Sequence, residues 1–250
     1  MSRTDGVLVF IHGWPDTERL WDAQVEAFEG RYRCIRFTLP GFEQGSRRAY
    51  SFDEVIGHIH QVIDSACRGE QVTLVLHDWG CVFGYAFAAR YPERVARIVA
   101  ADIGDAGSRR HLRELGIPAK LMTAAYQLYL ATAWRIGGRI GDVMSRIFAR
   151  LMGAPAAAQD IHAGMAYPYA VMWFGVRGGR PKGRLRPPDV PMLFVYGERK
   201  PFMFHSRAWA RDLAVKPGCR VVSLPAGHWM MVTCAEAFNS AVLEWLEEAC

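Results

Sequence analysis

The stretch that most constrains this chain is 72–90. Val72-Thr-Leu-Val-Leu-His77 is a β-branched and aliphatic run that stops at Asp78; after Trp79-Gly80, apolar residues recur at helical spacing until Tyr91-Pro92. The pattern predicts strand, tight turn, helix. In such a nucleophile elbow a strained turn lifts one side chain above the sheet and sets it at a helix N-terminus. The residue at the turn is a carboxylate, not a serine or cysteine. Gly80 lets the helix approach closely, although the position two before the turn, often Gly, is Leu76. On this stretch alone, Asp78 reads equally well as an ordinary helix N-cap.

At 250 residues, 51% of them hydrophobic, the chain can bury one full core without a linker. Lys and Arg outnumber Asp and Glu by 30 to 25, and the surplus lies in 109–113, 135–150 and 177–186. These arginines alternate with apolar residues at helical spacing and read as solvated helix faces, so neither nucleic acid nor membrane is expected as a partner. The six cysteines form no C-x-x-C pair, which suggests reduced, mostly buried thiols in a cytoplasmic protein. No signal region and no membrane-spanning apolar run is present. His58 and His60 face different sides of a helix, so no metal is expected.

In order, Val7–His12 reads as a parallel strand covered on both faces and ends in Gly13-Trp14-Pro15-Asp16. A helix follows to Glu29, then a strand over 32–38. Ser51-Phe-Asp-Glu54 opens the next helix with a capping box. Val95–Ala101 is another strand, ending at Asp102. Strands alternating with helices imply a parallel α/β sheet, whose reactive groups collect at the carboxyl ends of the strands. From 104 to 188 the pattern is helical and rich in aromatics. An insertion of that length predicts a lid or cap, dividing the core into 1–103 and 189–250. The sheet resumes at Val190–Tyr196 and Arg220–Leu224, followed by Gly227-His228-Trp229 and an amphipathic closing helix.

With these motifs in hand, the chain resembles the α/β-hydrolases of the epoxide hydrolase and haloalkane dehalogenase group. His12-Gly13-Trp14-Pro15 is similar to that group's oxyanion loop, His77-Asp78-Trp79-Gly80 to its aspartate elbow, and Gly227-His228-Trp229 to its catalytic histidine. The resemblance implies the α/β-hydrolase fold, shortened at the N-terminus to about six strands since the family usually has two more before the first strand here. It implies Asp78 as nucleophile and His228 as base, no cofactor, and a small apolar epoxide or haloalkane as substrate together with water. A homodimer is compatible with it. In many members the triad acid follows a Gly in the turn at 197–200, but that position is Lys200. Asp102, 24 residues after Asp78, matches the acid of one dehalogenase subgroup; Asp105 is the reserve. Asp102 also reads as a residue capping its turn.

An elbow carboxylate attacks an sp3 carbon bearing a leaving group, and water activated by His228 then hydrolyses the ester. N–H groups of Trp79 and of the loop at Trp14 would receive the ester oxygen. In the epoxide hydrolases cap tyrosines protonate the opening ring; the candidates are Tyr126, Tyr167 and Tyr169. A halide needs only N–H donors, and Trp79 serves either case. Trp14-Pro15 favours the epoxide over the halide. A third reading is a catalytically silent hydrolase fold that binds a ligand.

Overall fold

The computed structural model describes residues 5–179 and 187–248. Its centre is a six-stranded, all-parallel sheet of β1 (Val7–Ile11), β2 (Arg33–Arg36), β3 (Val72–His77), β4 (Val95–Ala101), β5 (Met192–Gly197) and β6 (Arg220–Leu224), in the order β2-β1-β3-β4-β5-β6. β1 and β3 are buried along their whole length, as a continuous apolar run requires when both faces are covered. β2 lies at an edge and is shorter than the 32–38 expected, because its pairing with β1 covers only Arg33 to Arg36; its two arginines are exposed and Cys34 and Ile35 are half-buried.

The period of two along β1 divides the core. Val7, Val9 and Ile11 join one apolar cluster, with α2 (Phe52–Cys67) and α3 (Trp79–Arg90). Leu8 and Phe10 join the other, with α1 (Asp22–Phe28), α9 (Met230–Thr233) and α10 (Ala235–Glu248). α2 starts at the capping box: Glu54 N–H donates to Ser51 Oγ at 3.2 Å, and Ser51 N–H to Glu54 Oε2 at 2.8 Å.

Between β4 and β5 the chain leaves the sheet and forms α4 (Arg109–Glu114), α5 (Ile117–Ile136), α6 (Gly138–Leu151) and α7 (Tyr167–Phe174). Gly137 and Gly138 both have positive φ, which reverses the chain between α5 and α6. α8 (Arg207–Ala214) follows β5. No described helix is long and apolar enough to cross a membrane. Five cysteines are free, Cys67 and Cys81 buried and Cys34, Cys219 and Cys234 half-buried; Cys250 and the basic residues at 180–186 lie outside the described residues.

Candidate active site

Asp78 occupies the turn between β3 and α3 with φ 51° and ψ −121°, a conformation that L-residues adopt only when their surroundings force it. Two glycines supply the close packing. A Cβ on Gly80 would lie 2.1 Å from Ile11 O, and one on Gly13 would lie 2.4 Å from Asp78 Oδ1. The Asp78 side chain makes no cap hydrogen bond to α3; its carboxylate points elsewhere. Trp14 N–H donates to Asp78 Oδ1 at 2.7 Å, and the adjacent Trp79 backbone N–H also favours the ionised carboxylate. Burial pushes the Asp78 pKa up, but the His228 ring and these donors outweigh it and hold it below the usual carboxylate value.

The loop after β6 carries His228 to the same place. His228 Nε2 lies 3.6 Å from Asp78 Oδ2, an ion-pair distance too long for a hydrogen bond. Its Nδ1 lies 2.5 Å from Asp102 Oδ2. Burial disfavours the imidazolium, yet the two carboxylates outweigh that and raise His228 to about 9. The loop is pinned from behind: His77 Nε2 bonds His228 O at 3.2 Å, and Trp229 Nε1 donates to Asp16 Oδ2 at 2.9 Å. His77 is fully buried and stays neutral, its pKa lowered to about 3 mainly by burial, so its Nε2 is the proton donor.

Asp102 ends β4 with φ 72° and is fully buried. Its Oδ1 accepts from Gly197 N–H at 3.3 Å and from Lys200 Nζ. Burial would raise its pKa, but His228 and Lys200 together bring it to about 2. Lys200, which the sequence marks only as a departure from the family pattern, is therefore a buried partner of Asp102, its side chain 6% exposed. Asp105 does something else. It accepts from Ser206 N–H at 2.6 Å, Ser206 Oγ at 2.8 Å and Ser108 Oγ at 2.6 Å, fastening the segment before α4 to the segment before α8.

Not every expected residue reaches this site. His12 is fully buried; Leu39 N–H donates to its Nε2 at 2.9 Å while its Nδ1 meets Gly13 O at 3.0 Å. It braces the loop that presents Trp14 N–H and has no ring atom left to meet a ligand. The Tyr167 ring packs on Phe42 and Tyr50, and its hydroxyl has no partner among the described residues. Tyr169, two residues on, points the other way and stands edge-on to Trp79, ring centroids 5.2 Å apart. Residues at i and i+2 of a helix lie on different sides, so only one of the pair could reach the site.

Tyr126 of α5 lies edge-on to Tyr169, 6.2 Å between centroids, and is stacked on Phe148 of α6 at 5.8 Å. Burial first, and then the Asp78 charge, push the pKa values of both phenols well above the usual tyrosine value, so both remain protonated. The Trp79 indole, whose N–H can only donate, lies against Tyr169 and partly opposes that rise. The Trp14 indole Nε1 is buried without a partner among the described residues. Phe148 and Asp16 carried no sequence signal beyond an ordinary apolar position and an ordinary turn residue. Among the described residues, no group of three or more His, Cys, Asp or Glu is placed to hold a metal ion.

The chain as a whole is similar to known proteins. The chain is 24% identical to "Epoxide hydrolase 4" of Homo sapiens over 99% of its own length and 74% of that protein's. It is 34% identical to the haloalkane dehalogenase of Mycolicibacterium smegmatis, over 39% of this chain and 33% of that one. Apart from the human protein, the aligned part spans a quarter to a third of the curated relatives' length. Its fold is that of an epoxide hydrolase from Bacillus megaterium solved with its diol product, at TM-score 0.72 and 20% identity, covering 96% of this chain and 93% of the other. The profile of the alpha/beta hydrolase family matches residues 8–241, nearly the whole chain, and the chain belongs to that family.

Proposed function

We propose that the chain is an epoxide hydrolase that works through a covalent ester on Asp78. The observation that carries this reading is a carboxylate in place of a hydroxyl at the elbow, with Tyr126 and Tyr169 gathered over it. Asp78 Oδ1 is held by the Trp14 N–H, so Oδ2 attacks an epoxide carbon. The ring C–O bond breaks and its electron pair goes to oxygen, which takes a proton from Tyr126 or Tyr169. The resting His228 imidazolium returns that proton to the phenolate.

Esterification also removes the Asp78 charge, one of the two that favour the imidazolium, so neutral His228 is the form that meets the ester. It takes a proton from water as the oxygen adds to the ester carbonyl. The carbonyl oxygen, Oδ1, is already held by the Trp14 N–H, where the developing oxyanion is stabilised without reorganisation. Asp102 keeps Nδ1 protonated and steadies the cation. On collapse, one water proton leaves with the diol and the other stays on His228, restoring the starting state.

Haloalkane dehalogenation is the second reading, favoured by the unpartnered Trp14 indole N–H. It is disfavoured by Tyr126 and Tyr169, proton donors that a departing halide does not need. Incubation with styrene oxide and with 1-bromobutane separates them: diol supports the proposal, bromide the second reading. Neither product across a panel of both classes supports a silent binding fold. In a His228→Gln variant, the proposal expects the alkyl ester to accumulate on the peptide containing Asp78.

A further inference from the structure

The cap carries an outer surface that the chemistry above does not use. α6 is built inside out. Its inward positions are small, with Gly141, Ser145 and Ala149 buried, and a Cβ on Gly141 would lie 2.3 Å from Ala133 O, so α6 rests almost on the backbone of α5. Its large aliphatics face solvent: Ile140 is 67% exposed, Val143 50%, Ile147 52% and Leu151 77%. At three- and four-residue spacing these four form one stripe. Ile117 and Leu121, 72% and 66% exposed, share one face of neighbouring α5. Single exposed aliphatics are ordinary, whereas a contiguous patch marks a binding surface.

Arginines run beside the stripe. Arg139, Arg146 and Arg150 repeat at seven and four residues, one position away from Ile140, Ile147 and Leu151. Arg146 donates from Nε to Ile161 O, while Arg139 and Arg150 make no ion pair among the described residues. Residues 104–179 hold nine Arg or Lys and four Asp or Glu, a surplus equal to the formal +5 of the entire chain. The one acid on α6, Asp142, is occupied by the Ala163 N–H. Two such faces brought together in a symmetric dimer would oppose charge of the same sign with no acid to answer it. A surface with fixed negative charge and an apolar interior answers both features.

We propose that the outer face of α5 and α6 docks on an anionic phospholipid surface, with the α6 aliphatics at the acyl boundary and its arginines among the headgroups. The arginines that read as solvated faces in the sequence are then the flank of an interfacial helix. The same two helices bear Tyr126 and Phe148, stacked on one another with Phe148 against Trp14 of the candidate active site, so docking would hold that site next to the phase where apolar epoxides dissolve. The surface stands without the epoxide reading, because no residue of the stripe belongs to the machinery.

The test is flotation of the full chain with vesicles of phosphatidylcholine alone and of phosphatidylcholine mixed with phosphatidylglycerol. Binding is expected with the mixed vesicles, weakened by salt. The surface double variants Ile147→Gln/Leu151→Gln and Arg139→Gln/Arg150→Gln should each bind about tenfold more weakly with unchanged turnover of a soluble substrate. No binding to the anionic vesicles, or wild-type binding by Ile147→Gln/Leu151→Gln, overturns the proposal. So does a dimer in sedimentation velocity that the same variant dissociates, which would give the face to a second copy of the chain.

Discussion

Lys200→Met removes the ammonium from Asp102 Oδ1 and keeps most of the aliphatic stem. An ammonium on one carboxylate oxygen and an imidazolium on the other stand roughly 6 Å apart, which at an effective dielectric constant of 20 is about 3 kcal/mol of repulsion, or about 2 pH units. Lys200 therefore opposes the rise that Asp102 imposes on His228, and its loss should make the imidazole harder to deprotonate. Part of the effect will be relaxed by water reaching a position whose lysine is 6% exposed, so a shift of about 1–2 units is expected. The assay is single-turnover hydrolysis of the Asp78 ester by rapid quench, with enzyme in excess, followed from acid to alkaline pH. The acid limb should move to higher pH by that amount while alkylation of Asp78 keeps its rate. A merely structural lysine would lower the rate equally at every pH. An unmoved midpoint, or one displaced toward acid, in a variant with native circular dichroism refutes the reasoning.

Three further outcomes follow from the geometry. Tyr126→Phe and Tyr169→Phe should each slow epoxide opening by about 10–1000-fold, and the pair more than either, whereas Tyr167→Phe should leave kcat within about threefold, as steady-state kinetics will show. Asp102→Asn should leave alkylation intact but cut ester hydrolysis by about 1000-fold or more, while Asp105→Asn should lower Tm, because it unfastens Ser206 and Ser108, with turnover retained. Thermal stability should fall with acidification between about pH 6.5 and pH 4: His12 and His77 are buried neutral with pKa values of about 4 and about 3, the unfolded chain binds the proton first, and each costs a few kcal/mol by the end of that window. Calorimetry across that range checks it, and a flat Tm would contradict the buried neutral assignments.

The sheet was legible because it rests on local signals. Continuous apolar runs at β1 and β3, the Ser51–Glu54 capping box and the Asp78-Trp79-Gly80 turn each have a short-range cause, and the structure carries all of them. The site was legible as far as motifs reach. Spacing put Asp102 at a strand end, but only the fold brings Lys200 beside it. Composition made three tyrosines equivalent, although helical geometry alone separates Tyr167 from Tyr169. The helical insertion between β4 and β5 was the least legible part, since α6 reverses the usual rule: close backbone packing through Gly141, Ser145 and Ala149 turns its aliphatics outward, and periodicity cannot tell which face of a helix is the inner one.

The covalent ester is the centre of the account, and oxygen labelling addresses it directly. If water attacks the carbonyl of an Asp78 ester, a single turnover with excess enzyme in 18O-water leaves the new oxygen in the Asp78 carboxylate, and the diol takes its second oxygen from the protein. The account predicts a diol without label and a mass increase of about 2 Da on the peptide containing Asp78, from one 18O-for-16O exchange in a covalent mechanism. Label in the diol with an unchanged Asp78 peptide would show direct attack of water on the epoxide, and would contradict the nucleophilic role of Asp78.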